Sequence, residues 1–201
     1  MVLQEMKDAI NRADQITRGL LDFAASKQLA VKPVDFNQLI VDTLKLVRHE
    51  LNQKRIEVVK DLGGPLPRVA VDKTQIQQVF VNIFVNAVHA MPQGGTLSVR
   101  TYAKQMTETT HQEGSRKADY FWVGDTAVVA EVEDTGGGIP SELLAKIFDP
   151  FFTTKPTGVG TGLGLPVSRK IIELHGGTID IKNKPKGGGV RVTILLKAQK
   201  D

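Results

Sequence analysis

The chain has no cysteine. That excludes disulfides and thiolate metal sites, and it fits a reducing compartment. No apolar run approaches ~18 residues, so nothing reads as a membrane span. The first residues mix acidic and basic groups along a helical pattern and lack the form of a signal peptide. Any membrane part of the natural protein is therefore expected outside this chain. There is also no dense Lys/Arg cluster interleaved with aromatics. The net charge of +4 is mild, and nucleic acid is not an expected partner. What is present is 201 residues, 41% of them hydrophobic, enough for one good core or for a core plus an appendage.

The rest of the chain is organised around residues 148–165, FDPFFTTKPTGVGTGLGL. Glycines at 158, 160, 162 and 164 weaken a fold through backbone entropy. Such a run is kept where backbone must approach something closely, or where N–H groups must face an anion. Pro166 then opens a helical pattern that ends at Gly176-Gly177, so the loop leads to a helix N-terminus that favours phosphate. The loop is not a Walker A motif, because Leu165 and Pro166 follow Gly164, nor is it the dinucleotide fingerprint. The alternative is a mobile surface loop.

Taken in order, the chain begins with an apolar seam at Leu3, Met6, Ile10, Ala13, Thr17, Leu20 and Ala24. Spacings of three and four predict a helix whose stripe needs a partner, either the rest of the chain or a helix missing here. Pro33 predicts a hinge. Asp35 caps a second helix through about Gln53, with Phe36, Leu39, Ile40, Thr43, Leu44, Val47 and Leu51 on its inner face. His49 on this helix is expected at the surface or in packing. Strands are expected at 55–62 and just before Asp72, whose D-x-x-Q pattern caps a third helix through about Met91. A strand at 96–102, a polar hairpin loop at 104–119 containing His111, and either one long strand at 120–133 or two pieces broken at Gly124-Asp125 follow. Then come a short helix at 141–147, the Pro166 helix, and a hairpin of 178–182 with 190–196.

Two stretches carry further chemistry. The third helix is apolar nearly all round, yet Asn82 and Asn86 lie four apart on one side, with His89 a turn beyond. Buried amides need partners. They form either an internal hydrogen-bond network or an oxygen site for a hard cation. The strand ending at Glu133 runs into Asp134-Thr-Gly136-Gly-Gly138-Ile139-Pro. The carboxylate either caps a tight turn or accepts from an exocyclic amine, with glycines letting a flat ligand lie against the backbone.

Together these stretches resemble the catalytic, ATP-binding domain of sensor histidine kinases, in the superfamily shared with DNA gyrase, the MutL repair protein and the ninety-kilodalton heat-shock chaperone. VNIFVNAVHAM matches the family's N box, DTGGGIP its first glycine box, FDPFFTTK its F box and GTGLGL its second glycine box. The boxes span residues 82–165 in the right order, and the likeness extends to about residue 197. The FFTTK form is most similar to nitrogen-regulator and dicarboxylate-sensor kinases.

The resemblance implies an α+β fold, a two-layer sandwich of three helices on a mixed sheet of about five strands (the Bergerat-type ATP fold). It implies ATP and Mg²⁺ as cofactors. Asn86 would bind Mg²⁺ with Asn82 in support, and Asp134 would accept from adenine while Gly136 and Gly138 give the base room. Lys155 would approach the terminal phosphates, so Asn82, Asn86 and Lys155 form the expected catalytic set. The 158–164 loop, with Gly160, Thr161, Gly162, Leu163 and Gly164, would close over the phosphates. Ile139, Phe152, Thr154 and Leu165 complete the expected nucleotide-binding set. His89 stands where many relatives carry Lys or Arg, and Val190 where Thr or Ser is common. Asn82 stands where gyrase-type relatives place a glutamate, and an amide has no basic lone pair for water. Slow hydrolysis is expected.

The family's phosphoacceptor is a histidine in a motif such as H-E/D-x-x-x-P, and none of His49, His89, His111 or His175 has that context. Residues 1–30 are expected to be the second helix of the dimerisation hairpin, and 31–201 the ATP-binding domain. The expected enzyme is a protein-histidine kinase fragment that does not autophosphorylate alone. Its expected partners are a phosphoacceptor hairpin, usually of the same homodimer, and a response regulator receiver domain. The expected location is cytoplasmic, with any membrane contact made by regions outside this chain. A gyrase-like ATPase and a nucleotide-gated interaction module are the competing classes.

Overall fold

The computed structural model of the chain describes residues 29–110, 121–155, 160–185 and 188–199. The expected heptad helix at the N-terminus, His111 and Gly158 lie outside the described residues.

The first described element is a short strand, β1 (Lys32–Val34), at the end of the stretch read as a hinge. Pro33 is tolerated there because the strand has a free edge, where a missing N–H breaks no ladder. Helix α1 (Phe36–Leu46) starts at Asp35, whose carboxylate accepts from the Gln38 N–H at 3.0 Å. The expected single helix breaks at Val47 (φ −100°, ψ 9°), and α2 (Arg48–Gln53) continues beyond it. A β-branched residue holds helical geometry less well, and Val47 is buried at the break. All seven inner-face residues named from the sequence are buried, and His49 is exposed.

Next come β2 (Ile56–Leu62), β3 (Val69–Val71) and α3 (Lys73–Ala90). Asp72 caps α3 by accepting from the N–H groups of Thr74 and Gln75. Strand β4 (Gly95–Gln105) and β5 (Thr126–Glu133) form the expected hairpin. The expected strand break falls at Gly124, whose φ of +89° suits glycine. Residues 141–147 form no α-helix. They make linked turns instead, with Lys146 N–H donating to Leu143 O at 2.8 Å and Asp149 N–H to Lys146 O at 2.9 Å. These bonds each span three residues, the tighter turn spacing that occurs in short pieces in place of an α-helix. Helix α4 (Gly164–Leu174) starts two residues earlier than expected. Pro166 still lies in the first turn, where its missing N–H costs nothing. Strands β6 (Thr178–Asn183) and β7 (Val190–Lys197) close the sheet.

The main sheet has the order β2-β4-β5-β7-β6, and β1 pairs separately with β3. The β2–β4 pair is parallel; β4–β5, β5–β7 and β7–β6 are antiparallel. The sheet is therefore mixed, as expected. Alternation along β5 sorts its faces: Val128, Ala130 and Val132 join the main core with the helices. Ala127 and Val129 face away and are covered by Met106 and Phe121. Helix α3 is the centre of the helical layer. Its Phe80 ring meets Phe36 edge-on at 5.7 Å and Phe84 at 5.7 Å. Among the described residues, no helix is long and apolar enough to cross a membrane.

Candidate functional site

A cleft of about 720 Å³ opens between α3, α4 and the loops that follow β5. All the site residues named from the sequence line it except Gly136.

One end of the cleft is built by Asp134, the first residue beyond β5. Its Oδ1 accepts from the Gly136 N–H at 2.8 Å and from the Val190 N–H at 3.2 Å. Its own N–H donates to Val190 O at 3.0 Å, and Lys184 Nζ donates to its carbonyl at 3.1 Å. The residue is only 7% exposed. Burial pushes its pKa up, while the two N–H groups and Lys184 pull it part of the way back. No described residue donates to Oδ2, so a single oxygen of a fixed carboxylate is left for a ligand.

The glycines after Asp134 serve different ends. A Cβ on Gly136 would lie 2.6 Å from the Ala90 carbonyl, so the room it makes is for the end of α3. Gly138 sits at φ +77° and lines the cleft. The next residue, Ile139, is held from outside the loop: its N–H donates to Asn183 Oδ1 at 2.8 Å, and Asn183 Nδ2 donates to its carbonyl at 2.6 Å.

The other end is polar and centred on α3, where Asn82, Asn86 and His89 follow one another by a turn. Lys155 reaches across from the FFTTK segment. Its Nζ donates to Asn86 Oδ1 at 2.9 Å and meets His89 Nδ1 at 2.8 Å. An ammonium only donates, so that ring nitrogen accepts and the imidazole is neutral. Burial lowers the His89 pKa, with Lys155 and Lys54 adding to the effect; burial also lowers the pKa of Lys155. Asn86 Oδ1 therefore faces the lysine ammonium across the cleft. Asn82 does not. Its Nδ2 donates to Gly164 O at 3.1 Å and to Ser168 Oγ at 3.2 Å, an internal network that fastens α3 to the start of α4.

The second glycine box is locked to the F box by backbone. Phe151 N–H donates to Gly162 O at 3.0 Å, and Phe151 (φ +67°) and Gly162 (φ +67°) both occupy the left-handed region. A Cβ on Gly162 would collide with the Phe151 backbone. Helix α4 then opens on the cleft with no side-chain cap at Leu163, which leaves its first N–H groups without that partner. Sequence reasoning missed Ser168, Asn183 and Lys184. No motif marks them, and Asn183 sits in a run, NKPKGGG, that reads as an ordinary turn.

Residues 71–200 match the family model described as histidine kinase-, DNA gyrase B-, and HSP90-like ATPase. Sensor kinase CckA of Brucella abortus is 41% identical over 179 residues, covering 88% of this chain and 18% of that protein. The solved catalytic domain of histidine kinase ThkA in nucleotide-free form is 31% identical with a TM-score of 0.66, covering 84% of this chain and 95% of that one. ThkA solved in complex with the response regulator TrrA has a TM-score of 0.73 at 26% identity, covering 98% of this chain and 51% of that one. The chain spans between 18% and 37% of the length of the first curated relatives it matches. It belongs to the histidine kinase-, DNA gyrase B- and HSP90-like ATPase family, as an ATP-binding catalytic domain of the sensor histidine kinase type.

Proposed function

We propose that this chain holds ATP in the cleft between α3 and α4 and presents the γ-phosphate to a histidine on a separate helical hairpin. The observation that carries the reading is the division of the cleft, with a fixed buried carboxylate at one end and a cation held by side chains at the other.

Asp134 Oδ2 would accept from the exocyclic amine of adenine. Guanine carries a carbonyl at the equivalent place, and two acceptors facing each other repel. At the far end, the uncapped start of α4 offers N–H groups and a helix dipole to phosphate. Lys155, parked between Asn86 and His89, would turn its ammonium to the terminal phosphates. Asn86 Oδ1, already aimed at a cation, fits Mg²⁺. That ion takes oxygen ligands and completes its shell largely from substrate phosphates and water. Bound there, Mg²⁺ would neutralise phosphate charge. His89, neutral and in contact with Lys155, supports the lysine and adds no positive charge. Gly160, Thr161, Gly162, Leu163, Gly164 and Leu165 would cover the phosphates, while Ile139, Phe152 and Thr154 wall the cleft.

Asn82 bears on the fate of the phosphate. It is an amide, and its nitrogen is committed to Gly164 and Ser168. It cannot take a proton from water, so hydrolysis should run below roughly 1 s⁻¹, at the slow end for enzymes. The γ-phosphate is then kept for a protein nucleophile. None of the described histidines suits that part. His89 is engaged with Lys155, and His175 with Asp72 N–H and the Ile171 carbonyl. His49 is exposed but lacks the family motif. The nucleophile is a histidine on a dimerisation hairpin, and the product passes to a response regulator receiver domain. The solved complex of the similar ThkA with TrrA supports that class of partner. The expected setting is cytoplasmic.

Calorimetry with ATP and Mg²⁺ tests the pocket. The chain is expected to bind in the micromolar to millimolar range and Asp134→Ala to lose that binding; an Asp134→Ala protein that binds as well as its parent would refute the base assignment. A separate phosphoacceptor hairpin added in trans is then expected to gain acid-labile phosphohistidine, while the chain alone gains none.

A further inference from the structure

The loop from Asp134 to Pro140 contains three consecutive glycines, which leave its middle free to take many backbone conformations. Its two ends are nevertheless held by the end of one hairpin. Asn183 and Val190 are cross-strand partners, the last pair of β6–β7. Val190 grips the Asp134 end through Asp134 N–H to Val190 O at 3.0 Å and Val190 N–H to Asp134 Oδ1 at 3.2 Å. Asn183 grips the Ile139 end through its side chain, accepting at 2.8 Å and donating at 2.6 Å. A carboxamide that donates to and accepts from the same residue imitates a strand neighbour, and Ile139 is thereby tied to the sheet although it belongs to no strand. Gly138 completes the fit, because a Cβ there would stand 3.1 Å from Asn183 Oδ1.

We infer that Asn183 is a positioning residue for base selection: it holds Ile139, a wall of the cleft, at fixed distance from the Asp134 carboxylate, so that an adenine-sized ring meets both at once. The inference rests on the nucleotide reading above. Asn183 is not among the residues that line the cleft. Its effect passes through Ile139 and Gly138, and it therefore acts at the base end and leaves the phosphate end unchanged.

Two substitutions test it. Asn183→Ala removes both hydrogen bonds. Asn183→Asp keeps the shape and the acceptor for Ile139 N–H but turns the donor into an oxygen facing the Ile139 carbonyl. Binding of ATP, of GTP and of inorganic tripolyphosphate, each with Mg²⁺, is followed by NMR titration of the whole chain. For Asn183→Ala, ATP binding is expected to weaken by about tenfold, the scale of one or two lost hydrogen bonds. The preference for ATP over GTP should fall with it while tripolyphosphate binding stays unchanged. Asn183→Asp should be at least as impaired, since a role in filling space alone would leave this isosteric variant like the parent. Equal losses for ATP and tripolyphosphate would mark a general structural role and overturn the proposal, as would an unchanged ATP-to-GTP ratio in both variants. A parent chain that binds no ATP would instead bring down the nucleotide reading, and this proposal with it.

Discussion

On the proposed reading, Asp134 would select its ligand by being half used. Two backbone donors occupy Oδ1, which fixes the carboxylate plane and leaves Oδ2 as the only polar contact it can offer. Asn86 and Asn82 sit one turn apart on α3 yet differ for the same reason, since what each has already bonded decides what remains. Asp134→Asn should therefore invert a preference without reshaping the pocket. The amide oxygen would keep the two N–H groups and its Nδ2 would face the ligand as a donor. ATP affinity is expected to fall about tenfold to hundredfold, ~1–3 kcal/mol, while GTP loses less or gains. Competition between the two nucleotides measures this, and an undiminished preference for ATP would contradict the assignment. Most of the site was legible because each box brings its own chemistry: an amide pair on an apolar helix, a carboxylate at a strand end, a lysine before a glycine loop. Asn183 was not legible, because its partner lies 44 residues away and its own neighbourhood resembles any polar turn.

At the scale of elements, the helices announced themselves by their caps. Asp35 and Asp72 each accept from the first-turn N–H groups that a helix cannot satisfy alone, and both were visible as residue types in the right places. The weaker features depend on context. β1 exists because three residues find β3 across 37 positions of chain, with Pro33 opposite Ala70. The break at Val47 has no glycine or proline to mark it. The end of α2 offers a test of local strain. Arg55 follows its C-cap with φ +55° in the left-handed region, a place usually given to glycine. The residue is exposed, so its side chain stabilises little by burial. Arg55→Gly is expected to raise stability by up to ~1 kcal/mol, read as a higher denaturant midpoint. A midpoint that falls by a similar amount would show that the arginine makes a compensating contact.

Across the whole molecule, one histidine ties distant parts together. His175, at the end of α4, donates from Nδ1 to the Ile171 carbonyl and accepts at Nε2 from the N–H of Asp72, the cap of α3, at 3.0 Å. Only the neutral ring can do both. Burial lowers its pKa below the ordinary 6.5, against the opposing pull of the Ile171 bond and the Asp72 carboxylate. The folded protein thus keeps the ring neutral where the unfolded chain protonates it. The stability this contributes is complete above about pH 6.5 and is lost as pH falls below that value. Asp72 itself keeps its charge through this range, since its N–H donors outweigh the cost of its burial. Denaturation of the parent should become markedly easier between pH 7 and pH 5, and His175→Gln should flatten that slope. Parallel curves for the two proteins would exclude His175 as the cause.

The parallel β2–β4 pair has a consequence in time. Its register, from Ile56 opposite Gly95 to Leu62 opposite Thr101, can form only after α3 has crossed between the two strands. Such non-local pairing closes late and slowly. The helix that makes the crossing carries Asn86 and His89, and the other end of the cleft waits for β7 to reach β5. No part of the chain can hold a nucleotide across both ends before the sheet is nearly complete. Stopped-flow kinetics with ATP and Mg²⁺ should then show slower unfolding and an unaltered refolding rate, because the ligand stabilises contacts absent from the transition state. Bound nucleotide would act as a brake on leaving the native state, with no influence on the path into it.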